Sequence, residues 1–191
     1  MQPIRLQQAR TAPDPGIPVH HPVVRIPDQS CYLRPEEGGY LFGIFDDDPM
    51  AIDLREKPAG FTTADIKPEE EIVAGARQRL APVFPVLEQL DIAQFRQGMI
   101  TCTPDAAYVV GPASSVEGLW IATGCGGMGI AGSGSVGRWL ADSILKGNCE
   151  DDISAFAPSR FKGHDAALLR EECRDVCSNY YALNSVPYSL S

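Results

Sequence analysis

Between Gly124 and Gly129 the chain reads Gly124-Cys125-Gly126-Gly127-Met128-Gly129, a GxGxxG spacing. It follows the apolar stretch Gly118-Leu119-Trp120-Ile121-Ala122 and precedes an amphipathic run from about Ser135 to Lys146. Such a segment can recognise negative charge. Glycines let the backbone approach a ligand, and the start of a helix offers N–H groups that lack intrahelical partners. A close-packed structural turn satisfies the same spacing, so the surroundings decide. An NAD-type fingerprint needs a second strand ending in Asp or Glu roughly 20 residues further on. Here that region is Asn148-Cys149-Glu150-Asp151-Asp152, a polar loop running toward Pro158. It supplies acids without an apolar strand to present them, which argues against an NAD module.

Other candidate chemistry is sparse. The histidines are His20, His21 and His164, and the cysteines are Cys31, Cys102, Cys125, Cys149, Cys173 and Cys177. None forms the paired CxxC spacing of a zinc site, so no metal is expected. Cys173 and Cys177 sit one helical turn apart and read as small buried apolar groups rather than a redox pair. No residue stands out as catalytic from its spacing alone.

Composition narrows the partners. The 191 residues are 44% hydrophobic and 21% charged, ordinary for a globular chain able to bury a core. A net charge of -9 without a Lys/Arg cluster argues against nucleic acid. The acidic triplets Asp46–Asp48 and Glu69–Glu71 read as solvated turns and helix starts. The longest uncharged run, Gly118 to Gly137, contains eight glycines in twenty residues and makes a poor membrane span. Cysteines without a metal or redox pattern and a polar, Pro-rich start lead to the expectation of a cytoplasmic, reducing location.

The elements that must position the glycine loop follow from periodicity. Ile4-Arg5-Leu6-Gln7 alternates as a half-buried strand should, and Pro13 to Pro22 is too punctuated for regular structure. Val23–Ile26, Cys31–Arg34 and Tyr40–Phe45 read as an antiparallel meander with turns at Pro27–Ser30 and Glu36–Gly39. Ile72, Ala76, Leu80, Val83, Leu87 and Leu90 mark one helical face, which Pro82 and Pro85 should kink or split. Ile92–Ile100 reads as a strand entering the turn Thr103-Pro104-Asp105, where Asp105 should hydrogen-bond within the turn. Tyr108–Val110 is extended, and Gly118–Ala122 reads as a buried strand. The helix from about Ser135 should end at Gly147, and Leu169, Cys173, Val176, Cys177 and Tyr180 mark a terminal helix.

Several of these segments, in this order, resemble the D-amino-acid oxidase-like flavoproteins, above all the dimethylglycine and sarcosine dehydrogenase branch. They are Tyr32-Leu33-Arg34-Pro35-Glu36 with Gly38-Gly39 and Leu41-Phe42-Gly43, then Gly98-Met99-Ile100-Thr101-Cys102-Thr103-Pro104-Asp105 with Val110-Gly111-Pro112. Gly118 to Gly147 and Phe156-Ala157-Pro158-Ser159-Arg160-Phe161 complete the set. The resemblance spans residues 20 to 162. It implies an α+β fold: an antiparallel substrate-domain sheet with helices, then the closing strand-loop-helix of an FAD-binding domain. The implied division is a substrate-binding portion over 1–108, an FAD-domain portion over 109–163, and a C-terminal helix and tail over 164–191.

The resemblance further implies FAD as cofactor and oxidation of a C–N bond in a small amine or amino acid. Gly126, Gly127, Met128, Gly129 and Ile130 become the expected flavin contacts, mostly through backbone. Tyr32 and Ile100 become substrate-pocket candidates, and Arg34 is expected to be structural or solvent-facing. Ile100 stands where amino-acid-oxidising relatives often carry an Arg for the substrate carboxylate. Ala131 stands where sarcosine oxidases carry a Lys tied to oxygen use, which favours a dehydrogenase. Nothing before Gly124 resembles the family's N-terminal dinucleotide unit. The expectation is therefore a truncated frame, a fragment or half of a split enzyme, inactive and poorly flavinylated alone. The alternative is a non-catalytic subunit or remnant that docks onto a flavoprotein partner.

Gly98 stands where members with cysteine-linked flavin carry the attachment residue, so the flavin should be non-cysteinyl. A tryptic peptide spanning Gly98 to Cys102, taken from the flavin-loaded enzyme, is expected to carry no flavin mass.

Overall fold

The computed structural model describes residues 1–181. Its contacts divide the chain into two compact units, Met1–Ile4 with Ile100–Val176, and Arg5–Met99 with the segment from Cys177.

The second unit is built on a five-stranded sheet. Its strands are β1 (Gln2–Thr11), β2 (Val24–Ile26), β3 (Cys31–Glu36), β4 (Gly39–Ile44) and β5 (Ile92–Cys102), in the order β2-β3-β4-β1-β5. β2 pairs antiparallel with β3, β3 with β4, and β4 with β1, as the meander pattern predicts. Register assigns the faces. Cys31 and Leu33 align with Ile44 and Phe42, which align in turn with Gln7 and Ala9. This face carries the core, completed by Val73, Ala76 and Leu80 of helix α1 (Glu70–Leu80) and by Leu87 and Leu90. The helix starts with Glu70 and Glu71 at its positive end and Arg77 and Arg79 near its negative end, the arrangement the helix dipole favours. It stops before Pro82, and a separate short 3-10 turn runs from Pro85 to Glu88. The two prolines thus split the long apolar period.

β1 departs from its expected alternation. Arg5, Gln7 and Thr11 are buried whereas Leu6 is only half-buried. The reason is position: β1 lies between β4 and β5, so an apolar/polar alternation no longer separates core from solvent. Arg5, Gln7 and Thr11 each find a partner instead, although Gln7 Nε2 has none. Arg5 Nη1 donates to Glu69 at 2.5 Å, the Glu69 N–H donates to Gln7 Oε1 at 2.7 Å, and the Tyr40 N–H donates to Thr11 Oγ1 at 3.0 Å.

The first unit contains a two-stranded antiparallel sheet, β6 (Val109–Pro112) with β7 (Trp120–Thr123), followed by helices α2 (Gly129–Lys146) and α3 (Ala166–Ser178). β7 was expected to be buried, but all four of its residues are half-buried or exposed, because it pairs only with β6 among the described residues. α2 begins at Gly129, six residues before the expected start. The glycines at 129, 132 and 134 lower helix propensity without preventing helix formation. Gly147 ends the helix in the left-handed region at φ 76°, as expected. On α3, Cys173 is buried beside Cys102 and the Gln2 backbone, and burial pushes its thiol up to about 11. Cys173 and Cys177 form no disulfide, and each is 1% exposed.

Two leucines give the fold a direct check. Leu80 is fully buried in the α1 core, whereas Leu145 on α2 is 82% exposed. Leu80→Ala should lower the unfolding free energy by ~2–5 kcal/mol, and Leu145→Ala should change it by less than ~0.5 kcal/mol. Urea denaturation followed by circular dichroism measures both.

Candidate functional site

Cys125–Met128 form a tight turn at the N-terminus of α2, with the Met128 N–H donating to Cys125 O at 2.8 Å. The positive φ angles fall at Gly124 (71°), Gly126 (52°) and Gly127 (90°). Gly129 is not among them: it is already the first helical residue, and a side chain there would meet Cys125 Sγ at 3.3 Å. The glycines therefore have two different duties. At Gly124 an added Cβ would lie 2.7 Å from Thr103 Cγ2, so that glycine is a packing requirement. In front of Gly126 there is open space, and Gly127, Met128 and Ile130 are exposed. Met128 supplies no side-chain cap, and the first turn of α2 carries no acidic residue. The helix end thus presents partial positive charge and backbone donors beside an open glycine surface. That combination can receive negative charge on a ligand.

The turn from Thr103 to Ala107 holds this loop. The Gly126 N–H donates to Thr101 O at 3.0 Å, and Thr103 Oγ1 donates to Ala107 O at 2.8 Å. Asp105 Oδ1 accepts from the Ala107 N–H at 3.1 Å, as expected for a turn-shaping Asp, and Ala106 sits at φ 57°. Arg160 then clamps the turn. Its guanidinium donates to Asp105 Oδ2 at 2.8 Å and Oδ1 at 3.1 Å, and also to the carbonyls of Ala107, Phe156 and Ala157. Burial alone would push the Asp105 carboxyl up, but hydrogen bonds from Arg160, the Ala107 N–H and Thr103 hold it below the usual carboxylate range. In the sequence Arg160 stands out only as part of the Phe156–Phe161 motif. The signal available was one unmatched positive charge in an apolar stretch, 55 residues from the acid it pairs with.

Tyr108 makes the second tie. Its hydroxyl donates to Met128 O at 2.7 Å, and a Cβ on Gly132 would come within 2.1 Å of that oxygen. Gly132 is what lets the ring reach the first turn of α2.

The two pocket candidates fall in different units. Ile100 is half-buried on β5 in the first unit. Tyr32 lies on the sheet face opposite the α1 core, in register with Gly43 and Arg25. Its ring covers Gly43, where a Cβ would meet the hydroxyl at 2.4 Å, and that hydroxyl accepts from Gln8 Nε2 at 2.8 Å. Burial raises the Tyr32 phenol, opposed by the Gln8 bond, so it stays protonated at neutral pH. Phe45 stacks on Tyr180 at 3.8 Å, and Arg25 lies 5.0 Å over the Tyr181 ring. These contacts bring the end of the described chain to the same sheet edge, which no local pattern announced. Arg34 is 44% exposed and pairs with Glu36 at 2.9 Å, the structural role expected of it.

The α+β fold, with its antiparallel sheet and a glycine turn opening a long helix, is shared with solved proteins. The solved L-proline dehydrogenase from P. horikoshii superposes with a TM-score of 0.63 at 24% identity, over 84% of this chain and 40% of that one. The chain belongs to the DAO family, described as FAD dependent oxidoreductase, whose profile matches residues 1–143. It is 32% identical over 178 residues to 4-methylaminobutanoate oxidase (formaldehyde-forming) of Paenarthrobacter nicotinovorans, covering 92% of this chain and 21% of that protein. Mitochondrial dimethylglycine dehydrogenase of Mus musculus is 33% identical over 145 residues, covering 73% of this chain and 17% of the enzyme. The chain thus spans about a fifth of the length of these curated relatives. No helix among the described residues is long and apolar enough to cross a membrane.

The Tyr108–Gly132 contact predicts a non-additive pair. Gly→Ala inside a helix ordinarily stabilises by up to ~1 kcal/mol, but Gly132→Ala should cost ~1–2 kcal/mol because it expels the Tyr108 ring. In a Tyr108→Ala background the same substitution should turn neutral or stabilising. A double-mutant cycle from denaturation curves measures the coupling.

Proposed function

We propose that this chain is the substrate-domain and flavin-ring portion of an FAD-dependent oxidoreductase that oxidises a C–N bond of a small amine or amino acid. The observation that carries the reading is the open glycine turn on the uncapped N-terminus of α2. FAD, when bound, supplies the acceptor for the hydride leaving the substrate carbon. Everything else is the work of this chain's residues. Gly126, Gly127, Met128, Gly129 and Ile130 hold the ring through backbone, and the α2 N-terminus favours negative charge on the reduced ring. Tyr32 and Ile100 belong to substrate-pocket walls, with Tyr32 a neutral hydroxyl that orients by hydrogen bonding. Residues 1–108 act as the substrate-binding portion, 109–163 as the flavin-domain portion, and 164–191 as the closing helix and tail.

Ala131 in place of a lysine supports a dehydrogenase that passes electrons to an acceptor other than oxygen. Gly98, with open space in front of it, supports flavin held without a cysteine bond. Six cysteines outside any disulfide support a reducing, cytoplasmic setting. Activity requires an FAD-carrying segment in addition to these 191 residues. The second reading, a non-catalytic chain docked on a flavoprotein, draws its support from the exposed apolar surface of α2.

The isolated chain should purify without a stoichiometric flavin absorbance band. In the FAD-loaded enzyme, Gly126→Ala places a methyl in the space assigned to the ring, and its φ of 52° adds strain of ~1–2 kcal/mol. Titration should show weaker FAD binding and a lower flavin reduction potential in a variant shown to be folded by circular dichroism. Unchanged affinity and potential would remove this turn from the active site.

A further inference from the structure

The sheet unit holds a cavity of its own, lined by Arg5 and by residues between Met50 and Glu69. Its volume is about 210 Å³. Met50, Ile52, Phe61 and Ile66 give it an apolar wall, with Ile52 and Ile66 buried. Arg5 lines it as well, and its side chain is only 3% exposed. Lys57 and Lys67 complete the positive lining from exposed positions, the Lys57 ammonium lying 5.6 Å over the Phe61 ring.

A buried guanidinium with open donors is costly, because it has left water without full replacement of its hydrogen bonds. Arg5 Nη1 donates to Glu69 at 2.5 Å, but Nη2 finds the Asp46 carboxylate at 3.9 Å, beyond hydrogen-bond length. Glu69 is itself a loosely held partner, 46% exposed and placed just before the first turn of α1. Gln7, next on the same face of β1, accepts the Glu69 N–H and keeps Nε2 without a partner. An apolar cavity therefore meets a buried cation whose close carboxylate is half in solvent. Charge and size then select a ligand. Arg5, Lys57 and Lys67 outnumber Asp65 and Glu69 on the lining, and Asp65 Oδ2 is occupied by the Thr62 N–H and hydroxyl. The hydrogen bond from Arg5 holds the Glu69 carboxyl below its usual value, so this guanidinium already stabilises a carboxylate. A cavity of ~150 Å³ accommodates benzene, so the larger volume here has room for roughly six carbons ending in a carboxylate.

We infer that this cavity binds a small apolar monocarboxylate, its tail against Ile52, Phe61 and Ile66 and its carboxylate on Arg5 in the place of Glu69. The site stands apart from the flavin reading. Arg5 continues the alternation in which Gln7 and Ala9 align with Ile44 and Phe42, on the α1 side of the sheet. Tyr32 and Gln8 meet on the other side, so the sheet separates the two places. A carboxylate held here is a second ligand, out of reach of the Tyr32 hydroxyl.

Calorimetric titration of the full chain with hexanoate, and with hexylamine as its cationic counterpart, tests the site. The wild-type chain should bind hexanoate saturably and one-to-one, and should not bind hexylamine. Glu69→Gln removes the competing charge and keeps the backbone N–H that Gln7 holds, so hexanoate should bind at least ~fivefold more tightly. Met50→Trp puts a ring into the cavity from an exposed position and should weaken binding at least ~tenfold. The double variant Lys57→Gln, Lys67→Gln should also weaken it without altering the wall. All these positions are exposed, so circular dichroism and unfolding temperature should match wild type. Absence of saturable hexanoate binding by both wild type and Glu69→Gln overturns the inference. Weaker binding by Glu69→Gln overturns it too, as does binding that Met50→Trp and the lysine pair leave unchanged. Binding of hexylamine in preference to hexanoate overturns the charge assignment and the proposal with it.

Discussion

The guanidinium of Arg160 makes five hydrogen bonds, two to the Asp105 carboxylate and three to the carbonyls of Ala107, Phe156 and Ala157. This one group fixes the Thr103–Ala107 turn in space, and the glycine turn is fixed against that. Thr103 lies so close to Gly124 that no side chain fits between them, and Thr101 accepts the Gly126 N–H. The turn carries a non-glycine residue at positive φ, Ala106, a conformation that costs energy unless its surroundings hold it. A bidentate Arg–carboxylate pair suits that task because its geometry is planar and directional. The position of the α2 N-terminus, and with it the charge presented to a ligand, follows from this clamp.

The sheet unit solves a different problem. β1 is sandwiched between neighbours and carries arginine, glutamine and threonine into the interior. Each is bonded to a segment distant in sequence: Arg5 to Glu69, Gln7 to the Glu69 backbone, Thr11 to the Tyr40 backbone. These bonds fasten the loop before α1 and the start of β4 to the middle of the sheet. The apolar work is done on one face, by the aligned residues of β3 and β4 against α1. The opposite face is left to Tyr32 and Gln8 around Gly43, where the Tyr32 hydroxyl accepts from Gln8.

The chain is also uneven in how well it covers itself. The α1 core is closed, with Leu80 and Leu87 fully buried, whereas α2 turns its glycine stripe and its large aliphatic residues outward. Isolated two-stranded sheets such as β6–β7 are marginal in water, so the first unit relies on its helices and on the Arg160 clamp.

The sequence by itself determined the kind and order of the elements, the break at Pro82 and Pro85, the stop at Gly147, and the family through its ordered motifs. These are local properties: periodicity, fixed proline φ, glycine tolerance of positive φ. The placement of the glycine turn between a strand and a helix was equally legible. Tertiary structure alone decided that α2 starts at Gly129, because propensity counted against the glycines at 129, 132 and 134, which packing and an open face allow. It alone decided which glycine packs and which faces space, since Gly124 and Gly126 are indistinguishable as letters. The pairing of Asp105 with Arg160 and the cover of Gly43 by Tyr32 likewise join residues far apart in the chain. Such contacts depend on how strands register and turns close, and no local pattern encodes them.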